Sequence, residues 1–254
     1  MDARTANSDA PAPLGALELT GRARTHVQEY PELGCALHPA AAAALLQLRA
    51  AAAAAGIAVQ PVSGFRDFAR QLAIWNGKFR GERPLLGRDG QPLEATALGE
   101  AERVGAILVW SALPGASRHH WGSDCDVIDR ATLPADTPVT LDAADYAADG
   151  RYARLAAWLA IHAQDYGFYR PYDCDRGGVL PEPWHLSYAP VADAALAAMS
   201  PGLLHAALAA ADLEGRAVVT ARLPELYARY VAAVAPPPAA ALARTQLSRA
   251  ARPA

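Results

Sequence analysis

Two short stretches of this sequence concentrate side chains that bind metals and move protons. Residues 117–127 read SRHHWGSDCDV and hold two histidines, two aspartates and a cysteine, and residues 182–185 read EPWH. A catalytic zinc takes three protein ligands from such groups and keeps one coordination position open. A separate carboxylate must then accept a proton from the attacking water. Together the two stretches contain the residue types needed for metal-assisted hydrolysis.

The spacing within the first stretch narrows the choice of ligands. Gly122 allows a tight turn between His119 and Asp126, so that both side chains can reach one ion. If the stretch ends in a strand, Asp124 shares a face with Asp126, and Cys125 points the other way. His119 and Asp126 are the first candidate pair of ligands, and this alternation leaves Asp124 on the same face as Asp126.

In the second stretch His185 can supply the third ligand and Glu182 the base. The residue types alone leave a structural interpretation open. A single histidine in a strand is usually structural, and an aspartate after a glycine is usually a turn or cap residue. A glutamate before a proline is most often a solvated loop acid. The residue types alone therefore do not decide between a metal site and a purely structural role.

Three motifs, in their order and spacing, resemble those of the VanY-type zinc D-alanyl-D-alanine carboxypeptidases of the LAS metallopeptidase group. They are SGFRDFARQ (63–71), SRHHWGSDCD (117–126) and EPWH (182–185), which match the patterns S-G-[FY]-R-x4-Q, S-x-H-x-x-G-x-x-x-D and E-x-W-H. The resemblance covers roughly residues 35–190. It implies an α+β fold in which a small antiparallel sheet carries the zinc site and packs against helices, as in the hedgehog-like core.

The resemblance also implies a role for each matched residue. One Zn²⁺ would be held by His119, Asp126 and His185. Glu182 would act as the general base that activates water and then as the acid that protonates the leaving amine. Arg66 would stabilise the negative charge that develops on the carbonyl oxygen, since a fixed cation aimed at developing charge is a large catalytic contribution.

Three further residues are substrate-binding candidates. The resemblance implies that Ser117 and Gln71 position the C-terminal end of the substrate. Asp124 departs from the family pattern, which often has alanine at this place. It could contact a histidine ring N–H, meet an ammonium group of the substrate, or be a solvated or capping acid. His120 is expected to be a neighbour of the site and not a ligand.

The elements that must position these residues are helices mixed with short strands. Because they lack a regular βαβ rhythm, an α+β fold is favoured over a doubly wound sheet. The segment 80–96 is rich in Gly and Pro with an Asp-Gly turn signal. It is expected to form a loop or small hairpin that borders the site.

The sequence divides into four regions. We expect a flexible arm (1–20), a zinc peptidase domain (21–195), a C-terminal helical extension (196–234) and a disordered Pro/Ala-rich tail (235–254). Leucine, tyrosine and valine side chains in the extension share one helical face, which could pack on the catalytic domain or form a homodimer: Leu223, Leu226, Tyr227 and Val231.

Composition excludes several partners and suggests a compartment. A net charge of −3 and a pI of about 6.2 argue against general attraction to nucleic acid or to anionic membranes. The longest apolar runs are too alanine-rich and interrupted for a membrane span. The N-terminus lacks the basic start and apolar run of a secretory signal. We therefore expect a cytoplasmic protein, or a periplasmic one if a leader has been removed.

The implied partners are peptidoglycan-derived peptides, and three reactions compete. These are D,D-carboxypeptidase trimming of pentapeptides, L,D-carboxypeptidase removal of D-alanine from tetrapeptides, and endopeptidase cleavage of a bond such as L-Ala-D-Glu. A cytoplasmic D,D-carboxypeptidase would destroy the cell's own wall precursors, so the expected location favours the L,D reaction in murein recycling. A non-catalytic zinc-containing binding module is the alternative from another class. The presence of three candidate ligands together with Glu182 and Arg66 argues against it, because a pure binder has no need of the acid.

Overall fold

The computed structural model describes residues 12–134 and 136–242. In these ranges the helices are α1 (Ala16–Leu19), α2 (Pro39–Ala54), α3 (Phe68–Phe79), α4 (Glu100–Trp110), α5 (Ala153–His162), α6 (Ala189–Ala198), α7 (Pro201–Leu208), α8 (Arg216–Ala221) and α9 (Leu223–Tyr227). The strands are β1 (Gln28–Tyr30), β2 (Cys35–Leu37), β3 (Val59–Ser63), β4 (Leu85–Leu86), β5 (Pro92–Leu93), β6 (Asp124–Asp129), β7 (Phe168–Tyr169) and β8 (His185–Tyr188).

A four-stranded antiparallel sheet in the order β3-β6-β8-β7 lies at the centre of the fold. Strand β6 is buried along its whole length because it has a partner on each side and packs against helices. The register sets Asp126 of β6 opposite Ser63 of β3 and opposite His185 of β8. The α+β fold with a small antiparallel sheet is confirmed. The sheet also brings the three sequence motifs to one place.

Two hydrophobic cores flank this arrangement. One lies between the sheet and helices α2 and α5, where Leu45, Leu48 and Leu155 are completely buried. The other is formed by α3, α4 and the C-terminal helices around Trp75 and Ile107. At 25 cal/mol per Å², fully burying an aliphatic or aromatic side chain of this kind contributes about 1.5–3 kcal/mol. The metal motifs lie on elements that both cores hold in place.

Local sequence signals explain how the elements next to the site begin and end. His38 caps α2 by accepting a hydrogen bond from the backbone N–H of Ala40, and Pro39 occupies the first helical position. Asp67 caps α3 by accepting from Arg70 N–H at 2.7 Å. This cap fixes the point at which the chain leaves β3, passes Arg66 and enters the helix.

The structure differs from the expectation of a flexible arm. Residues 1–11 lie outside the described residues, but α1 follows, and Leu19 is buried in the second core. The carbonyl of Leu19 accepts a hydrogen bond from the indole N–H of Trp121, which directly precedes the turn at Gly122. Residues 16–19 are therefore helical and attached to the core through Leu19.

The C-terminal helices are likewise part of the main body and not a separate extension. Leu223, Leu226 and Val231 are buried in the same core as Trp75 of α3. The predicted apolar face therefore packs on the main body of the same chain; a homodimer through it stays an untested prediction. The predicted tail also differs over residues 235–242, because Ala241 packs fully buried against Tyr169. Its remainder, 243–254, lies outside the described residues.

The structure also bears on membrane association. Within the described ranges no single helix is long and apolar enough to cross a membrane, although α6 and α7, bent by 82° at their junction, pass as a pair by length and composition.

Candidate metal centre and catalytic cavity

The three predicted metal ligands converge. One donor atom each from His119, Asp126 and His185 lies within 4.8 Å of the others, and all three residues are buried. His119 Nε2 is 3.5 Å from Asp126 Oδ2, and His185 Nδ1 is 3.4 Å from Asp126 Oδ1. Two histidines and one carboxylate form a donor set that suits zinc with an open position.

His119 is held in one tautomer by the backbone. Its Nδ1–H donates to the carbonyl oxygen of Gly64 at 2.9 Å, so that Nε2 carries the lone pair for a metal. Burial and the nearby charge of Arg66 keep the pKa of His119 well below its usual range, so the ring is neutral. Gly64 must be a glycine, because a Cβ there would lie 2.7 Å from the carbonyl oxygen of Ala36.

Gly122 provides the turn that the sequence predicted. It follows a short 3₁₀ turn over 118–121 and has a φ of +64°, the left-handed region that glycine adopts without strain. A Cβ at this position would approach Val27 Cγ1 to 2.4 Å. The chain therefore reverses between His119 and Asp126 only because residue 122 has no side chain.

His185 is held from its far side by Asp124. Its Nε2–H donates to Asp124 Oδ2 at 2.8 Å, which leaves Nδ1 directed at the metal group. Burial alone lowers the pKa of His185, but the Asp124 and Glu182 carboxylates outweigh it and raise the pKa to about 10. In the absence of metal, a proton on Nδ1 is therefore strongly favoured by the surrounding acids.

The site fits a cation on two independent grounds. Asp126 Oδ1 is buried and has no hydrogen-bond partner among the described residues, which is costly unless an ion or water satisfies it. Burial and the charge of Glu182 raise the pKa of Asp126 to about 6, although Arg66 and His185 oppose this shift. Both features are explained if Zn²⁺ occupies the centre of the three donors.

The predicted base and the predicted cation lie beside the three donors. Glu182 Oε2 is 3.1 Å from His185 Nδ1, and its backbone N–H donates to the carbonyl oxygen of Tyr172. Arg66 is held by its Nη1, which donates to Gln71 Oε1 at 2.8 Å, and by its Nη2, which donates to Ser63 Oγ at 3.3 Å. The charges of Asp126 and Glu182 both act on Arg66. Base, cation and ligands thus face one space.

That space is a cavity of about 440 Å³. Ser117 lines it, in agreement with a substrate-facing role, and so do Leu86 and Gly90 of the β4–β5 hairpin. The hairpin confirms the expected structure of segment 80–96 and its place at the border of the site. Charged side chains make up much of the wall: Arg66, Lys78, Arg83, Arg118, Asp126, Asp142 and Glu182.

Two predicted substrate-binding residues do not face the cavity. Gln71 is completely buried, donates to the carbonyl oxygen of Ala112 and accepts from Arg66, so it orients the arginine. Asp124 is also completely buried, and its oxygens accept from Arg118, His185, Ser123 and Ser187. Since every oxygen is occupied, Asp124 cannot meet a substrate ammonium group. Its contact with the His185 ring is the alternative that the structure supports.

The neighbouring His120 and Cys125 lie where the sequence predicted. His120 accepts from Gly115 N–H and donates to the carbonyl oxygen of Arg66, which turns its ring away from the donors. Burial lowers the pKa of His120 to about 4, in keeping with a neutral ring in both bonds. Cys125 is buried in the core beside the sheet, and burial raises the pKa of its thiol.

Sequence reasoning missed Arg118, Lys78 and Tyr172, all of which line the cavity. A signal for Arg118 existed, because an acid at position 124 that is buried in a strand needs a cationic or hydrogen-bonding partner. Lys78 and Tyr172 carry no comparable signal. They lie at the end of α3 and in a loop before β8, and only the tertiary fold brings them to the site.

The match to a known family agrees with this geometry. A family model described as VanY, D-alanyl-D-alanine carboxypeptidase, matches residues 34–191, more than half of the chain. The chain therefore belongs to the VanY family of D-alanyl-D-alanine carboxypeptidases.

Two relatives from Haemophilus influenzae are similar in sequence, and both are uncharacterized proteins. The first is 41% identical over 98 residues, which cover 37% of this chain and 67% of the relative. The second is 30% identical over 121 residues, which cover 47% of this chain and 92% of the relative.

Two solved structures share the fold. VanYB in complex with D-alanine-D-alanine is 21% identical, with a TM-score of 0.50 over 72% of this chain and 84% of that one. A mutant of the vancomycin resistance D,D-pentapeptidase VanY in complex with Zn(II) is 20% identical, with a TM-score of 0.50 over 82% and 93% of the two chains. The likeness supports the α+β fold.

Proposed function

We propose that the chain is an L,D-carboxypeptidase that releases C-terminal D-alanine from peptidoglycan tetrapeptides ending in diaminopimelate–D-alanine. The proposal depends on the charged wall of the cavity. Lys78 and Arg83 make no side-chain hydrogen bond or ion pair with other described residues, although both line the cavity. Asp142 lines it as well.

The charged residues that line the cavity match the substrate of the L,D reaction. The diaminopimelate side chain ends in a carboxylate and an ammonium group, and in a tetrapeptide it directly precedes the scissile bond. The unpaired cations suit its carboxylate, and Asp142 suits its ammonium group. In the D,D reaction a small D-alanine takes that position, and diaminopimelate lies one residue, about 3.5 Å, further out.

The residues of the chain account for the chemistry. His119, Asp126 and His185 would hold Zn²⁺, which when bound would polarise the scissile carbonyl and lower the pKa of water. Glu182 accepts a proton from the attacking water and returns it to the amine of the leaving D-alanine. The Arg66 guanidinium, fixed by Gln71, stabilises the negative charge on the carbonyl oxygen.

The substrate can be tested by incubating the purified, zinc-loaded protein with tetrapeptide and pentapeptide muropeptides and measuring D-alanine release. We expect release from the tetrapeptide, with a lower kcat/KM when lysine replaces diaminopimelate. Release from the pentapeptide alone would overturn the L,D proposal in favour of the D,D reaction, which the description of the matched family favours. Placement of the reaction in cytoplasmic murein recycling stays a prediction.

The role of Glu182 is tested separately. We expect Glu182→Ala to keep its zinc, since the three ligands remain, and to lose activity by about 10²–10⁴-fold or more. Zinc content by atomic absorption and D-alanine release measure the two effects. Unchanged hydrolysis with full zinc content would show that another group moves the proton.

A further inference from the structure

We infer that Arg118 binds the C-terminal carboxylate of the substrate through the Nη1 edge of its guanidinium group, beside Ser117. The inference rests on the proposed carboxypeptidase function and assigns a residue that determines where the peptide must end. Arg118 lines the cavity although it is 97% buried, with a relative exposure of 3%.

The hydrogen bonds of Arg118 occupy one edge of the group and leave the other edge free. Nε donates to Asp124 Oδ2 at 2.8 Å. Nη2 donates to Tyr169 Oη at 3.0 Å and to Ser187 Oγ at 2.6 Å. A guanidinium has five N–H donors, so the two on Nη1 remain. Nη1 is buried without a hydrogen-bond partner among the described residues.

The unpaired Nη1 of Arg118 is destabilising unless a hydrogen-bond acceptor binds to it. Leaving a buried donor unpaired costs about 1–3 kcal/mol, and more when the group is charged. A purely structural partner for Asp124 would need only the edge already used. A carboxylate is the group that guanidinium donors match best in charge and geometry. The neighbouring Ser117 lines the same cavity, and a serine hydroxyl can donate to the second oxygen of the carboxylate.

The position of Arg118 suits the end of the substrate and not its body. Arg118 Nε and His185 Nε2 both bind Asp124 Oδ2, each at 2.8 Å, so Arg118 lies one carboxylate away from a metal ligand. A terminal carboxylate lies only one residue, about 3.5 Å, beyond the scissile bond. Arg118 is almost fully buried, whereas Lys78 is half-buried and Arg83 is exposed. The buried Arg118 therefore suits the terminus, and the more exposed Lys78 and Arg83 suit the rest of the peptide.

The experiment compares a tetrapeptide with a free C-terminal carboxylate and the same peptide as its C-terminal amide. For wild type, Arg118→Lys and Lys78→Met, kcat/KM is measured for both peptides. We expect wild type to prefer the acid by about 10–100-fold, the range of a hydrogen bond to a charged group. A lysine at position 118 keeps the ion pair with Asp124 but cannot bind the substrate carboxylate with a second edge, as a guanidinium can. We therefore expect Arg118→Lys to lose about 10-fold or more of this preference.

Lys78→Met is the matched control, because it removes another cation from the same cavity. We expect it to lower both rates by the same factor and to leave the acid-to-amide ratio unchanged. The inference is overturned if wild type does not distinguish the peptides, if Arg118→Lys lowers both rates equally, or if the preference disappears in Lys78→Met instead. If Arg118→Lys does not fold, the inference is judged by the acid-to-amide ratio of kcat/KM in wild type and in Lys78→Met.

The same two peptides separate this inference from the proposed function. Their Kd values are also measured on zinc-loaded Glu182→Ala, so that binding is scored without turnover. If wild type releases no D-alanine but the acid still binds more tightly than the amide, the proposed reaction fails and the carboxylate site stands. If D-alanine is released and both peptides bind equally, the reaction stands and the carboxylate site fails.

Discussion

Removal of Asp124 tests how the buried network supports the metal group. In Asp124→Ala, Arg118 loses its only anionic hydrogen-bond partner among the described residues, and the Nε2–H of His185 loses its acceptor. Breaking a buried ion pair by removing one partner costs about 3–5 kcal/mol. For a chain of this size we expect the Tm of the metal-free protein to fall by roughly 6–20 °C.

A second variant separates stability from metal binding. In Arg118→Met/Asp124→Ala the buried charge is removed together with its partner, and replacing a buried pair with apolar groups is often neutral or stabilising. We expect most of the lost stability to return. The His185 ring still lacks its acceptor, so we expect zinc affinity to stay about 10–100-fold weaker than in wild type in both variants.

The measurements are thermal denaturation in EDTA and zinc titration against a competing chelator. Asp175→Ala is the control, because it removes the exposed Arg88–Asp175 ion pair, and exposed pairs contribute little to stability. If Asp124→Ala is as stable as wild type, or if the double variant is as unstable as the single one, the reasoning about the buried pair is wrong. If zinc affinity recovers along with stability, Asp124 does not support His185.

Three further predictions concern the turn, the C-terminal helices and the thiols. Gly122→Ala should lower the free energy of unfolding by more than the roughly 1–2 kcal/mol of left-handed backbone strain, because the Cβ of the alanine would also clash with Val27. An unchanged urea midpoint would contradict this. Leu226→Ala should cost about 2–5 kcal/mol in one cooperative urea transition, whereas a separate early transition would mean that the helices unfold on their own. Burial raises the pKa of the Cys35 thiol to about 11. At pH 7 native protein should therefore react with iodoacetamide at the exposed Cys174, and labelling of Cys35 should rise as the pH approaches its pKa. Equally fast labelling of both cysteines at pH 7 would contradict this reasoning.

The metal group could be predicted because the three motifs that carry the family resemblance are short and local in sequence. Gly122 sets the turn between two ligands, strand alternation separates Cys125 from Asp126, and the short EPWH motif carries the base and the third ligand. None of these inferences requires knowledge of what lies across the sheet. The α+β class followed for the same reason, since it depends on the order of helices and strands.

The sequence did not reveal which polar residues face each other across the interior. Gln71 and Asp124 are completely buried, and their roles depend on Arg66 and on Arg118 and His185, which reach them only through tertiary packing. Alanine-rich helices pose a related difficulty. Their apolar face is visible at Leu226, but the sequence does not state whether it covers the same chain or another one.

The antiparallel pairing of β3, β6 and β8 has a consequence for the order in which the chain can assemble. His119 depends on the carbonyl of Gly64, and Asp126 meets His185 only after β8 has paired with β6. His119 and Gly64 are separated by 55 residues, and contacts between residues far apart in sequence form slowly. The three donors therefore take up the arrangement described above only when β8 is paired with β6. During synthesis, a chain that ends before residue 185 has two of the three donors, so we expect high-affinity zinc uptake to follow completion of the central sheet.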